Sequence, residues 1–182
     1  GFSSIKMQVA HCFKNDEDVA NIKEMRSTLG DDTGIMIDVN QGWSVDEAIK
    51  VSKKIEHYNP EWLEEPVMAD DFDGYEKICK STSIPIVTGE NNFTHNDLLP
   101  FMKNKKIRIL QPDIMRGGYT NLIYTSHLAN QYGIKIAPHM FPELSIHIVA
   151  SIENPSWLEY MGWYDHLWKE PLIPVNGTLK PT

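Results

Sequence analysis

The sequence predicts an α/β fold whose parallel sheet is wound into a TIM-type barrel, and three observations carry that expectation. Seven short β-rich apolar runs occur, at Ser4 to Val9, Ile35 to Val39, Glu61 to Leu63, Ile84 to Thr88, Ile107 to Leu110, Ile134 to Ala137 and Trp157 to Leu158. Segments with helical spacing lie between them, and such alternation gives a parallel sheet with right-handed crossovers. Each run also ends near an ionisable residue: Lys6, Asp38, Glu64, Glu90, Asp113, His139 and Glu159. A doubly wound sheet concentrates its chemistry at one switch point, whereas a barrel brings the C-terminal ends of all its strands to one mouth. No glycine-rich phosphate loop follows the first run, which argues against a dinucleotide-binding fold.

The intervening helices have their own signals. Val19, Ile22, Met25 and Leu29 recur at helical spacing, and Gly30 stops that helix. Ser44-Val45-Asp46-Glu47 reads as a capping box, because a Ser hydroxyl and a Glu three residues on can each satisfy a backbone N–H of the first turn. The helix it opens carries Ala48, Ile49, Val51, Ser52 and Ile55. A later helix, with Leu122, Ile123, Leu128 and Ala129, is expected from about Thr120 to a stop at Gly133.

A length of 182 residues fits one domain with a real core, yet is below the roughly 200 to 250 residues of a complete α/β barrel. The chain begins at Gly1 rather than Met, a hint that an N-terminal portion precedes it. A net charge of −8 argues against nucleic acid and anionic membrane surfaces as partners. No apolar run approaches the roughly 18 residues of a membrane span. Cys12 and Cys79 form neither a disulfide framework nor a CxxC metal motif, which suits a reducing cytoplasm. Two matches to the glycosylation pattern, at Asn92 and Asn176, are read as chance.

The chemistry concentrates in five residues. Asp38, Glu64 and Glu90 close three consecutive runs, and neighbouring strands lie about 4.8 Å apart, so the three carboxylates can converge on one ion. Hard oxygen donors without His or Cys favour Mg²⁺ over Zn²⁺. The bland reading, that each acid caps the following helix or pairs with a surface lysine, is weakened by three acids at matching strand ends. Asp113 and His139 end the next two runs, and a carboxylate beside an imidazole holds one tautomer and raises its basicity, as a general base requires. The remaining histidines, His11, His57, His95, His127, His147 and His166, have no matched acid and read as structural.

These residues resemble the barrel domain of the enolase superfamily, in the mandelate racemase/muconate lactonizing enzyme family. The likeness runs over essentially the whole chain, from Gly1-Phe2 through Lys6, Gly34 to Gln41, Glu64-Glu65-Pro66, Gly89-Glu90-Asn91, Gln111-Pro112-Asp113 with Gly117-Gly118, Pro138-His139 and Trp157-Leu158-Glu159. It implies Asp38, Glu64 and Glu90 as Mg²⁺ ligands, Asp113 and His139 as the base dyad, and Glu159 as a hydrogen-bond partner of the substrate carboxylate. It also implies that residues 1–182 form a partial barrel domain, preceded by a first strand and helix and by an α+β capping domain. The tail from Glu170 to Pro181 looks like the segment after the last strand of acid-sugar dehydratases. The family picture is of a homo-oligomeric enzyme acting on a small sugar acid.

One departure steers the functional expectation. The family pattern at the end of this strand is Lys-x-Lys, and here it is Lys6-Met7-Gln8. Residues 6 and 8 share a face of the strand, so Lys6 can still offset the charge of a substrate carboxylate, whereas Gln8 cannot take a proton. Racemisation needs an acceptor on each face of the α-carbon; loss of a β-hydroxyl needs one base. The expectation is therefore an acid-sugar dehydratase. The alternatives are a racemase or epimerase of a 2-hydroxy acid, and a catalytically silent barrel that binds acid sugars. Asn40, Arg116 and Met140 are expected at the mouth, with Asn40 and Gln8 as substrate contacts.

Overall fold

The structure is a computed structural model and describes residues 1–11 and 15–181, so Cys12 lies outside the described residues. Six strands form one sheet in the order β1-β2-β3-β4-β5-β6. Sequential order without a reversal is the wall topology of a barrel rather than of a doubly wound sheet. The chain divides into two compact units, Ser3–Val87 and Gly1–Phe2 with Thr88–Thr182. The division falls inside β4(Ile86–Thr88).

The first unit holds β1(Ser4–Gln8), α1(Asn15–Leu29), β2(Gly34–Asp38), α2(Val45–Ile55), β3(Trp62–Glu64) and α3(Phe72–Ser81). Its strands pair in parallel, with Gln8 opposite Asp38 and Asp38 opposite Glu64. Ile35, Ile37, Leu63 and Ile86 are fully or almost fully buried, as are Ile22, Ala48, Val51, Ile55, Tyr75 and Ile78 of the helices. Each large aliphatic side chain so buried contributes roughly 2 kcal/mol. The expected capping box is present: the Ser44 hydroxyl accepts from the Glu47 N–H while the Glu47 carboxylate accepts from the Ser44 N–H. In the first turn of α3 the Gly74 N–H donates to the side chain of the N-cap Asp71, and a Cβ at Gly74 would lie 2.8 Å from Val45 Cγ2.

The second unit holds α4(His95–Lys103), β5(Ile109–Leu110), α5(Ile114–Gln131), β6(Lys135–Ile136) and α6(Pro142–Val149). Strands β5 and β6 pair in parallel. The seventh strand expected at Trp157 to Leu158 is not formed. Pairing occurs earlier, as an isolated parallel bridge between Ile136 and Pro155. The Ile136 N–H donates to Asn154 O and the Ser156 N–H to Ile136 O, a rung that asks nothing of the N–H that proline lacks. The Asn154 side chain fixes this register by donating to the Ile134 and Ser126 carbonyls at 2.8 and 3.0 Å. Helix α5 also begins earlier than the expected Thr120. Its first turn starts at Ile114, and Gly118, at φ 73 and ψ 171, breaks the helical path just after that turn.

Backbone strain gathers after the strands. In the first unit Ala10, Asn40, Gln41 and Glu65 have positive φ, and in the second Met140 and Phe141 do. Left-handed backbone costs a non-glycine residue about 1 to 2 kcal/mol, and it concentrates where function over-determines the chain.

Candidate active site

In the first unit the strand register places Gln8, Asp38 and Glu64 on one rung. Asp38 and Glu64 are 2% and 0% exposed, and buried carboxylates demand partners. Asp38 Oδ2 accepts from Gln8 Nε2 at 3.2 Å, and Oδ1 accepts from the Asn40 N–H at 2.9 Å. Glu64 Oε1 pairs with Lys6 Nζ at 2.7 Å, and Oε2 accepts from Trp62 Nε1 at 3.0 Å. Lys6 and Gln8 thus reach two neighbouring carboxylates, as their shared strand face requires. Gln8 is committed as a donor, and Asn40 meets the site through its backbone. Trp62 is the residue that sequence reasoning missed here. Its place two positions before Glu64, on the same strand face, was the available signal.

The second unit carries Glu90, Asp113, His139 and Glu159. Asp113 sits at the N-cap of α5. Its Oδ1 accepts from the Met115 N–H at 2.6 Å and its Oδ2 faces His139 Nδ1 at 2.7 Å. This carboxylate therefore caps a helix with one oxygen and faces the imidazole with the other. With Nδ1–H committed to Asp113, Nε2 is the ring atom left to exchange a proton, and it faces Glu90 Oε2 at 3.4 Å. Burial pulls the His139 pKa down, but the hydrogen bond to Asp113 and the charges of Glu90, Glu159 and Asp113 outweigh it and hold the value above 6.5. Glu159 Oε2 accepts from the N–H of Met140 at 2.8 Å, and Met140 is left-handed at φ 49, a backbone state that sequence patterning does not show. Arg116 Nη2 donates to Asn91 Oδ1 at 2.9 Å.

The structure brings together Lys6, Gln8, Asp38 and Glu64 in one unit, and Glu90, Asp113, His139 and Glu159 in the other. Oxygen donors on adjacent strands suit a hard cation, and the Asp38–Glu64 pair meets that test. Among the described residues no group of three or more His, Cys, Asp or Glu side chains is arranged as a metal cluster. Of the other histidines, His11 contacts Gln8 and His95 contacts Asn121. A pocket lined by Ser44, Val45, Asp46, Ile49, Lys77, Lys80 and Ser81 contains none of the site residues. No helix among the described residues is long and apolar enough to cross a membrane.

The chain is similar to several characterised proteins. It is 32% identical over 182 residues to an L-talarate/galactarate dehydratase of Salmonella typhimurium, covering 98% of this chain and 45% of that protein. It is 30% identical to a 3,6-anhydro-alpha-L-galactonate cycloisomerase of Streptomyces coelicolor, covering 97% of this chain and 49% of the relative. The chain thus spans about half the length of the curated relatives it matches. Among solved structures, an enolase from Bradyrhizobium complexed with magnesium and mandelic acid superposes with a TM-score of 0.95 at 28% identity, covering 100% of this chain and 50% of that one. An L-talarate dehydratase from Polaromonas complexed with Mg and L-glucarate gives a TM-score of 0.91 at 28% identity, over 100% of this chain and 52% of that one. The family model described as enolase C-terminal domain-like matches residues 1–182. By this match over its whole length, joined to the motifs above, the chain belongs to the enolase C-terminal domain-like family.

Proposed function

We propose that this chain is the barrel portion of an acid-sugar dehydratase, with Asp38, Glu64 and Glu90 as ligands of one Mg²⁺. The ion supplies Lewis-acid stabilisation of the charge that develops on a substrate carboxylate. His139 Nε2 removes the α-proton of a polyhydroxy acid, and Asp113 holds the ring in the tautomer that allows it. Lys6 adds a second positive charge beside the carboxylate, and Glu159 hydrogen-bonds it. The electron pair left at the α-carbon then expels the 3-hydroxyl, which leaves as water with the proton that His139 carries. The resulting enol tautomerises to a 2-keto-3-deoxy acid.

The observation that carries this reading is a single oriented base. His139 has its carboxylate partner at 2.7 Å, while Gln8, where the family pattern has a second lysine, spends its amide on Asp38. One base serves elimination and does not serve two-faced proton exchange. The relatives by name include dehydratases of talarate, galactarate, arabinonate and gluconate, and Mg accompanies several of the neighbouring structures.

The test incubates the intact protein with Mg²⁺ and a panel of acid sugars in deuterated water. The expected product is a 2-keto-3-deoxy acid bearing deuterium at C3. Recovery of inverted, C2-labelled 2-hydroxy acid without keto acid overturns the reading in favour of a racemase. Isomerisation without loss of water points to a cycloisomerase, and turnover of no acid to a silent binding barrel.

A further inference from the structure

Glu90 follows Gly89, whose φ of 137 is open to glycine and rarely to other residues. A Cβ at Gly89 would also lie 2.9 Å from the Gln111 N. The backbone therefore fixes where the Glu90 side chain starts, and its carboxylate is buried at 5% exposure. Two groups face the oxygens of that carboxylate. Oε2 faces His139 Nε2 at 3.4 Å, and Oε1 accepts from Asn91 Nδ2 at 3.4 Å.

An asparagine amide can present either its oxygen or its nitrogen, and its surrounding partners decide which. Here Arg116 Nη2 lies 2.9 Å from Asn91 Oδ1. A guanidinium only donates. It therefore holds the oxygen of Asn91 toward itself and turns the Nδ2 donors toward Glu90. Arg116 is itself held in place: its backbone N–H donates to Asp113 O at 3.2 Å and its guanidinium stands 5.3 Å over the Phe93 ring. The Phe93 loop is tied to α5 as well, since Asn121 Nδ2 donates to Phe93 O at 3.2 Å. A Cβ at Gly117 would come within 2.8 Å of that same carbonyl, so the loop packs directly on the first turns of α5. One short stretch of α5 thus carries the orienting partner of His139, which is Asp113, and the group that sets Asn91.

We infer that Arg116 and Asn91 are positioning residues, a two-residue relay that orients the Glu90 carboxylate for its cation. The inference rests on the reading of Glu90 as a metal ligand. Groups that orient a ligand in this way change metal affinity about 10- to 100-fold when removed. A long bond such as the 3.4 Å contact from Asn91 belongs at the lower end of that range.

The experiment measures the Mg²⁺ dissociation constant of the intact protein by titration calorimetry, alongside thermal melting. Arg116→Ala and Asn91→Ala should each weaken Mg²⁺ about tenfold. The double variant should be no weaker than either single one, because each change breaks the same relay. Arg116→Lys keeps a donor for Asn91 Oδ1 and should restore most of the affinity. If Arg116→Ala lowers the melting temperature but leaves Mg²⁺ binding intact, Arg116 is only a clamp and the relay is refuted. Losses that multiply in the double variant refute it as well. Glu90→Gln separates the two levels. If it leaves Mg²⁺ binding unchanged, the ligand assignment falls and takes the relay with it; if it weakens binding while Asn91→Ala does not, the relay alone falls.

Discussion

Replacing Asp113 by Asn separates the two tasks of one carboxylate. Oδ1 accepts from the Met115 N–H at 2.6 Å and Oδ2 takes His139 Nδ1 at 2.7 Å. The Met115 amide only donates, so in the variant the Asn oxygen stays at the cap and the NH₂ group is forced to face the imidazole. Nδ1 must then accept, the ring proton moves to Nε2, and the atom that should take the substrate proton is already occupied. A wrong-tautomer base of this kind loses on the order of 10³ to 10⁴ in kcat, which at about 1.36 kcal/mol per tenfold is about 4 to 5.5 kcal/mol. The fold should scarcely notice, since the cap survives; Asp113→Ala, which removes it, should cost about 1 kcal/mol of stability. Keto-acid formation from the best acid sugar, followed with urea melts of the same preparations, measures both quantities. A kcat loss below about tenfold in a stably folded Asn variant refutes the argument that Asp113 sets the tautomer.

Three further outcomes are expected. Gly89→Ala combines a disfavoured φ of 137 with a Cβ 2.9 Å from the Gln111 N; it should cost about 2 to 4 kcal/mol in a thermal melt. His139 has its folded pKa raised above 6.5. The stability it contributes is therefore fully present below that ordinary value and is lost as pH rises through the folded one. Urea melts of the metal-free protein across neutral pH should show this fall, and Asp113→Asn should flatten it. Ser44→Ala removes the capping box of α2 and should cost about 1 kcal/mol by the same melt, with turnover unchanged.

Much of this was legible in the sequence because it depends on local period. The alternation of apolar runs and helical segments is a short-range pattern, and so is the position of a polar residue at each strand end. What escaped depends on contacts between distant residues or on backbone handedness. The last expected strand was placed at the apolar pair Trp157-Leu158, whereas the pairing follows the anchor that Asn154 drops onto Ser126 and Ile134. The start of α5 was placed at about Thr120, whereas a helical turn capped by Asp113 precedes a break at Gly118. In the candidate site the residue types and strand positions were readable. The partners of Glu159 and Asn91 were not, since each is chosen by a side chain or amide from elsewhere in the chain.

The double use of Asp113 bears on how related sequences should be interpreted. A descendant that abandoned catalysis would still need an acceptor at the N-cap of α5, and the side chains that serve there are few, with Asp among the best. Purifying selection for folding alone could preserve that acid long after the reaction was lost. Retention of Asp113 is then poor testimony to activity. The His139 ring faces the carboxylates of Asp113 and Glu90, so its loss or retention is the more telling mark of whether a lineage performs the chemistry.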